Sequence, residues 1–352
     1  MPRKPLIAAA TISLLALSAA GCLKRKETIT VAQDGRVTVA LEYESKNREF
    51  GHPDAMPSTE SGWDVAVASH TKKDGSEEHA LTGQRTFAPG QRLPRTYAAP
   101  NDPNADLYVD FPTELQTERR DDGLYFHIRR TYSPRRWAYV QYWHDRFFDD
   151  KMKKLSEKPA EQLTARERIE LMKTLVAIQA RRQIELAEAA ARESGIELAP
   201  DEWLAARRAL LDVYEELDYE HLLKLQEGSE RQGQDPQLKK AAEERLNREV
   251  EAIMNRAGEA LTETLRAQLA EPEYARFQRA SERVALYHQI TEATGTHYFE
   301  IRVKMPGRVV AHNADKVDEN GEAVWEFDGR AFRDRPYELL ITSRLQTAAE
   351  GH

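Results

Sequence analysis

The stretch HYFEIRVKMPGRVV, residues 297–310, decides the fold. Apolar and polar side chains alternate from His297 to Val303, which is typical of a β-strand with one buried face. Pro306-Gly307 then supplies a turn, and Val309-Val310 predicts the strand that follows it. A strand here needs a partner, because an unpaired strand leaves its backbone N–H and C=O groups open to other chains.

Strand-like segments occur on both sides of this stretch. Downstream, residues 323–327 and 337–341 alternate in the same way, and Asn320-Gly321 supplies another turn, so four short strands are predicted after Gly295. Upstream, Asp34-Gly35 joins two β-branched runs into a hairpin. The upstream strand candidates are residues 28–31, 37–41, 63–69, 79–87, 107–111 and 124–128.

The middle of the chain has a different period. Residues 151–294 contain 23 basic and 28 acidic side chains with only four prolines and four glycines, a composition typical of long solvated helices. Thr164 with Glu167 predicts a capping box, and Pro134, Pro236 and Pro272 each stand where a helix can begin. The predicted helices are 134–155, 164–193, 200–227, 236–270 and 272–293.

Together these segments predict an α+β protein. Residues 22–133 and 295–348 form a discontinuous antiparallel β-sheet domain built from both chain halves, and residues 134–294 form an inserted bundle of long helices. Pairing the two halves leaves fewer open strand edges than three separate domains would.

The first 21 residues have the pattern of an export signal. Arg3 and Lys4 precede an apolar run from Leu6 to Ala20. Ala19-Ala20-Gly21-Cys22 then resembles the lipobox of bacterial lipoproteins, which implies cleavage between Gly21 and Cys22 and a diacylglycerol thioether on Cys22, the only cysteine. The alternatives are an ordinary signal peptide cut near Ala20 and an uncleaved membrane anchor. Leu23 follows the cysteine, and by the same resemblance it favours the outer membrane in a cell that has two membranes.

The net charge excludes one class of partner. The chain carries −8, and removal of Arg3 and Lys4 with the leader leaves 49 basic against 59 acidic side chains, or −10. An acidic protein repels nucleic acid and anionic lipid headgroups alike. We therefore predict no nucleic-acid partner and expect the lipid anchor, rather than a basic surface, to attach the protein to a membrane.

The last strands also carry a resemblance to a family. Met305-Pro306-Gly307-Arg308-Val309-Val310, then Asn313, Asn320-Gly321 and Val324-Trp325-Glu326-Phe327, resemble the closing β-hairpins of the LppM-type domain of bacterial lipoproteins. The hairpin from Thr28 to Glu44 also suits that family, whereas the long helical block departs from it. The resemblance implies an α+β lipoprotein domain of the cell envelope with no established catalytic residues.

Catalytic and metal-binding motifs are missing from the sequence. The dinucleotide-binding, phosphate-loop, zinc-protease and nucleophile-elbow patterns do not occur in it. We predict no catalytic residues, no metal site and no cofactor beyond the acyl modification of Cys22. A glycosidase-like hydrolase stays open as an alternative, because two facing carboxylates leave no sequence pattern.

One segment offers a candidate contact surface. Arg135, Arg136, Trp137 and Trp143 combine positive charge with aromatic rings, a combination that suits lipid headgroups or glycans. The alternative is that the aromatic rings join the helices to the sheet, with the arginines paired to acidic helices. The overall prediction is an exported, lipid-anchored, non-catalytic binding or structural module for a protein or cell-wall partner. A carrier that holds an amphiphile in a groove between sheet and helices is the second hypothesis.

Overall fold

The computed structural model describes residues 23–45, 54–71, 77–137, 146, 149–159, 162–231, 236–295 and 297–346. Its strands are β1 Lys24–Val31, β2 Val37–Ser45, β3 Asp64–Thr71, β4 Glu77–Phe87, β5 Thr113–Arg120, β6 Gly123–Tyr132, β7 Tyr298–Lys304, β8 Arg308–His312, β9 Lys316–Val317, β10 Ala323–Asp328 and β11 Tyr337–Leu345. Its helices are α1 Asp150–Ser156, α2 Ala165–Ser194, α3 Pro200–Glu215, α4 Tyr219–Arg231, α5 Pro236–Gln268 and α6 Glu271–Gly295, with a 3-10 helix at Gly329–Phe332.

The strands form two sheets, of order β3-β4-β2-β1-β7-β10-β9 and β5-β6-β11-β8. Both sheets mix strands from before and after the helices, because β1 pairs with β7 and β6 pairs with β11. The predicted α+β class and the joining of the two chain halves are thus confirmed. The β1–β7 pair is parallel, so the larger sheet is mixed rather than purely antiparallel.

The chain divides into two compact units. One comprises the described residues of 138–288, and the other comprises the described residues of 23–137 and 289–346. We call them the helical unit and the sheet unit. In the helical unit, an apolar core formed by one face of each long helix includes Leu210, Ala257 and Leu261, all fully buried. The predicted capping box is present, since Glu167 N–H donates to the Thr164 hydroxyl and Thr164 N–H donates to the Glu167 carboxylate.

In the sheet unit, the inner faces of the two sheets pack against each other. Tyr132 of the smaller sheet makes edge contacts with Phe299 and Phe327 of the larger one, with ring centroids 5.9 and 5.3 Å apart. Every second residue of β1 from Arg25 to Val31 is buried, which is the alternation that a strand with one inward face requires.

Two predicted helices differ from the structure. Residues 134–137 are not helical, because Arg135 N–H donates to the Phe332 carbonyl and the Arg135 carbonyl accepts from Asp334 N–H, so the segment runs beside residues 332–334. The predicted helix 134–155 is therefore wrong at its start, and its described helical residues are Arg146 and Asp150–Ser156. The predicted helix 200–227 is two helices, since Asp218 caps a new one by accepting from His221 N–H.

The predicted strand 107–111 is also absent from the described fold. Leu107, Val109 and Phe111 are buried as the alternation suggested, but their N–H groups bond a turn, the Asp54 carboxylate and the Arg95 carbonyl instead of a neighbouring strand. Conversely, β5 was missed because its sequence TELQTERR has almost no apolar residues. It forms an edge of the smaller sheet, where both faces tolerate polar side chains.

Candidate functional site

The most unusual feature of the sheet unit is a charged network buried between its sheets. Arg25 and Glu27 lie on the inward face of β1, and Arg130 lies on the inward face of β6. Their side chains are 3%, 0% and 2% exposed. Buried charges are costly unless they are paired and hydrogen-bonded, so their geometry decides whether the network stabilises the fold.

Glu27 is the centre of this network. Its Oε1 accepts from Arg130 Nη1 at 2.6 Å, and its Oε2 accepts from Arg25 Nη2 at 2.8 Å and from the Tyr97 hydroxyl at 2.8 Å. Arg130 Nε also donates to the Thr113 hydroxyl at 2.6 Å. One carboxylate therefore bridges two arginines that come from different sheets.

The protonation of Glu27 follows from these contacts. Burial alone would raise the pKa of Glu27, but the charges of Arg130 and Arg25 and their hydrogen bonds outweigh it and lower that pKa to about 2. Glu27 is therefore ionised throughout the physiological range. The network of two cations and one anion carries a net positive charge inside the fold.

Aromatic rings stabilise the remaining positive charge. The Arg25 guanidinium lies over the rings of Tyr97, Phe111 and Phe299, at 4.6, 4.9 and 5.5 Å from their centroids. The negative face of an aromatic ring attracts a cation, and the attraction is larger where water is excluded. Burial lowers the pKa of His297 to about 3, and the positive charge of Arg25 acts in the same direction, so this neighbouring histidine is neutral.

This network is a structural link between the sheets. Its atoms are almost fully enclosed and its carboxylate is occupied by three donors, so no face of it is open to a substrate. The network is not evident in the sequence, because five polar residues in a row, Lys24 to Thr28, hide the alternation. Extending the period of Ile29 and Val31 backwards would have placed Arg25 and Glu27 on the buried face.

The structure separates the predicted surface residues. Arg135 is buried, and its guanidinium donates to the Thr291 hydroxyl at 2.9 Å and to the Leu107 carbonyl at 2.6 Å. Arg136 is exposed, and Trp137 is half-buried with the Arg333 guanidinium 3.8 Å from its ring centroid. Arg135 thus acts within the fold, while Arg136 and Trp137 reach its surface. Gly21, Cys22 and Trp143 lie outside the described residues.

Two open cavities lie at the surface of the sheet unit. The larger, about 600 Å³, lies near the β1–β2 turn and is lined in part by Arg92, Arg95, Glu114 and Gln116. The other, about 480 Å³, lies over the smaller sheet and includes His127, Arg129, His312, Asn313 and Leu340. Both combine polar groups with apolar surface, as ligand or partner sites do.

Glu185 in the helical unit has a raised pKa. Burial and the adjacent Glu188 charge raise the pKa of Glu185 to about 7. Glu188 is itself paired with Arg207. A raised carboxyl pKa is one requirement of a hydrolase, but a substrate cleft with a second facing acid is another.

The described part of the chain contains neither a metal-ligand cluster nor a helix able to span a membrane. Among the residues whose positions are given, no three His, Cys, Asp or Glu side chains converge as ligands for a metal ion. Within the same ranges, none of the helices combines the length and hydropathy needed to cross a bilayer.

Comparisons with known proteins leave the family open. No family model matches the chain, and no curated protein matches it. Among solved structures, the NMR structure of the folded domain of LppM from Mycobacterium tuberculosis is similar over 93% of this chain and 92% of that chain, with 9% sequence identity and a TM-score of 0.27. So loose a superposition supports no argument about fold or function, and the LppM-type resemblance stays a prediction from the sequence.

Proposed function

We propose that this protein is exported, acylated at Cys22 and held on an envelope membrane, where it acts as a non-catalytic binding or structural module. The observation that carries the proposal is the sequence Ala19-Ala20-Gly21-Cys22 after the apolar run, with Cys22 directly before the first described residue. Leu23 is 4% exposed, its carbonyl accepts from Tyr298 N–H, and β1 starts at Lys24. Lys24, the first residue of β1, therefore lies two positions after the proposed mature start at Cys22.

The surface of the sheet unit supports a binding role. Among the described strands, β3 pairs only with β4 and forms an edge of the larger sheet. Val67 on that strand is 56% exposed. An open edge with an apolar side chain is a surface to which an extended segment of a partner can add as another strand.

A partner of protein or cell-wall origin fits the two cavities as well. Their arginine, histidine and glutamine side chains offer hydrogen-bond donors and acceptors at the surface, while the buried network links the two sheets. A rigid scaffold that presents polar groups is suited to recognition. We propose no reaction for it.

Replacement of Cys22 by serine tests the anchor. A hydroxyl cannot form the thioether, so we expect Cys22→Ser to abolish metabolic palmitate labelling and to move the protein from the membrane to the soluble fraction. Two or three acyl chains hold a protein on a bilayer by about 0.8 kcal/mol for each buried methylene, so their loss should release nearly all of it.

The matched control is Ser18→Thr, which changes the leader and keeps Ala19-Ala20-Gly21-Cys22 intact. This variant should be labelled and retained like the natural protein. Unchanged labelling of Cys22→Ser would refute acylation at this cysteine.

A further inference from the structure

A continuous set of contacts leads from Leu23 to a group of arginines. Tyr298 N–H bonds the Leu23 carbonyl at 3.2 Å, and one residue earlier the His297 carbonyl accepts from Gly329 N–H at 3.2 Å. Gly329 opens the 3-10 helix that carries Arg330, whose side chain is 68% exposed. This end of the larger sheet is therefore the end at which the chain enters from Cys22.

A second segment borders the same place. Residues 135–137 run beside residues 332–334, because Arg135 and Phe332 share a backbone hydrogen bond of 2.9 Å and Trp137 N–H donates to the Asp334 carboxylate at 2.7 Å. We call residues 136–137 and 328–335 the anchor-side rim. It contains four arginines (136, 330, 333 and 335), two aspartates and one tryptophan.

The rim differs in charge from the rest of the chain. Four arginines against two aspartates give it a net charge of +2, although the mature chain carries −10. Arg136, Arg330 and Arg335 are exposed, and Trp137 is half-buried beneath the Arg333 guanidinium. Arginine and tryptophan together suit the interface of an anionic bilayer, where the cation meets phosphate and the ring meets the headgroup layer.

Covalent geometry limits the distance between rim and anchor. Consecutive Cα atoms are about 3.8 Å apart, so Cys22 cannot lie farther than that from Leu23, whose backbone is bonded into the sheet. We infer that the anchor-side rim lies against the headgroups of the bilayer that holds the acyl chains of Cys22, with Arg330 and Arg335 facing anionic phosphates. This inference rests on the acylation proposed above.

The opposite end of the sheet provides a built-in reference. The eight residues of β1 span about 26 Å at 3.3 Å each, so the turn at Gln33 lies far beyond a headgroup layer when the rim faces the bilayer. Gln33 and Pro336 are both exposed, and Pro336 directly follows the rim. A cysteine at either position can be labelled alone, because a thioether at Cys22 carries no reactive thiol.

The test uses the purified acylated full-length mature protein in vesicles of phosphatidylcholine with phosphatidylglycerol. Pro336→Cys and Gln33→Cys are each labelled with an environment-sensitive fluorophore, and access of an aqueous quencher is measured. We expect the label at 336 to be quenched several-fold less than the label at 33. Equal quenching at both positions, whether high or low, would overturn the inference while leaving acylation intact.

A second experiment, with variants that remove positive charge, tests the role of the arginines. In phosphatidylglycerol vesicles, Arg330→Gln with Arg335→Gln should expose the label at 336, because each arginine contributes roughly fivefold to partitioning onto an anionic surface. The matched control, Arg36→Gln with Arg92→Gln, removes two exposed arginines from the region of the distant turn and should leave that label protected. Equal effects of the two pairs would refute a headgroup contact at the rim.

The same preparation separates the two proposals. If the natural protein reacts with maleimide and stays off the vesicles, Cys22 is unmodified, and both the proposed function and the rim contact fail. If the protein is acylated and vesicle-bound but the labels at 336 and 33 are quenched equally, only the inferred rim contact fails.

Discussion

Replacing Glu27 with glutamine should lower the free energy of unfolding of the sheet unit by about 3–5 kcal/mol. The substitution keeps the size of the side chain but removes the one negative charge that Arg25 and Arg130 share inside the fold. It also turns an acceptor oxygen into an N–H₂ group that faces arginine donors. Urea unfolding, followed by hydrogen exchange of β1 and β6 amides, measures the loss in the sheet unit alone.

Glu42→Gln is the matched control. Glu42 lies on the outward face of β2, is 42% exposed and pairs with Lys26 at 3.4 Å, so its loss should cost no more than about 1 kcal/mol. Glu27→Gln combined with Arg130→Met restores the net charge of the network and should be more stable than Glu27→Gln alone. Equal losses for Glu27→Gln and Glu42→Gln would contradict a structural role for the network.

The same variant should change the response to acid. The pKa of Glu27 is lowered to about 2 in the fold, so its stabilisation is complete above the unfolded-state value of 4.5 and is lost as the pH falls towards 2. The lowered pKa of His297 contributes in the same direction, with stability lost from about 6.5 towards 3. As the pH falls below 4.5, the free energy of unfolding should therefore decrease less for Glu27→Gln than for the natural protein. Above pH 4.5, the difference in free energy of unfolding between the two proteins should not depend on pH.

Replacing Trp325 with alanine should destabilise the sheet unit by about 3–5 kcal/mol, because the enclosed ring leaves a large cavity. Trp325 is fully buried in β10, and its Nε1–H donates to the Asn313 side-chain oxygen at 3.0 Å. That oxygen also accepts from Leu340 N–H at 2.8 Å, and the amide nitrogen of Asn313 donates to the Glu338 carbonyl at 2.8 Å. Trp325 thus holds the Asn313 side chain in place, and Asn313 links the loop after β8 to β11.

Val310→Ala is the control for this prediction, because Val310 lies in β8 and is 46% exposed. We expect Val310→Ala to lower the free energy of unfolding by much less than Trp325→Ala does. Trp325→Phe should lower it by an intermediate amount. Urea unfolding of the sheet unit gives all three values. A loss for Trp325→Ala no larger than that for Val310→Ala would show that the ring is not the link between these strands.

The motif that carries the LppM-type resemblance has a clear physical basis in this fold. Gly307 has a φ of 77°, and a Cβ there would lie 2.3 Å from the Arg344 carbonyl oxygen, so the Pro306-Gly307 turn requires glycine. The Ser343 hydroxyl then bonds the Pro306 carbonyl at 2.8 Å. Together with Asn313 and Trp325, these residues form a structural corner rather than a ligand site.

Elements with strong local signals were predictable from the sequence. Strands β2 and β7 alternate, and α2 has both its capping box and a glycine at its end, so their positions follow from periodicity and capping. That strands of the two chain halves pair followed from the need of both halves for partners, but the choice of β1 and β7 and their parallel direction did not. The division into two facing sheets did not, because it depends on long-range packing.

The candidate site was less predictable for the same reason. Arg135 belongs to a segment rich in arginine and aromatic residues, and composition alone could not show that its guanidinium bonds two backbone carbonyls inside the fold. The rim also joins residues that are almost 200 positions apart, Trp137 and Asp334, through a backbone-to-carboxylate bond. Only the folded chain brings these two residues together.

The intact mass of the natural protein, extracted from membranes with detergent, tests the central claim most directly. We predict a chain that starts at Cys22 and carries the added mass of a diacylglycerol thioether, with fragment ions that place this mass on the first residue. A chain without the lipid mass, one that begins at another residue, or one that retains Met1 to Gly21 would contradict acylation at Cys22 and, with it, the membrane contact of the anchor-side rim.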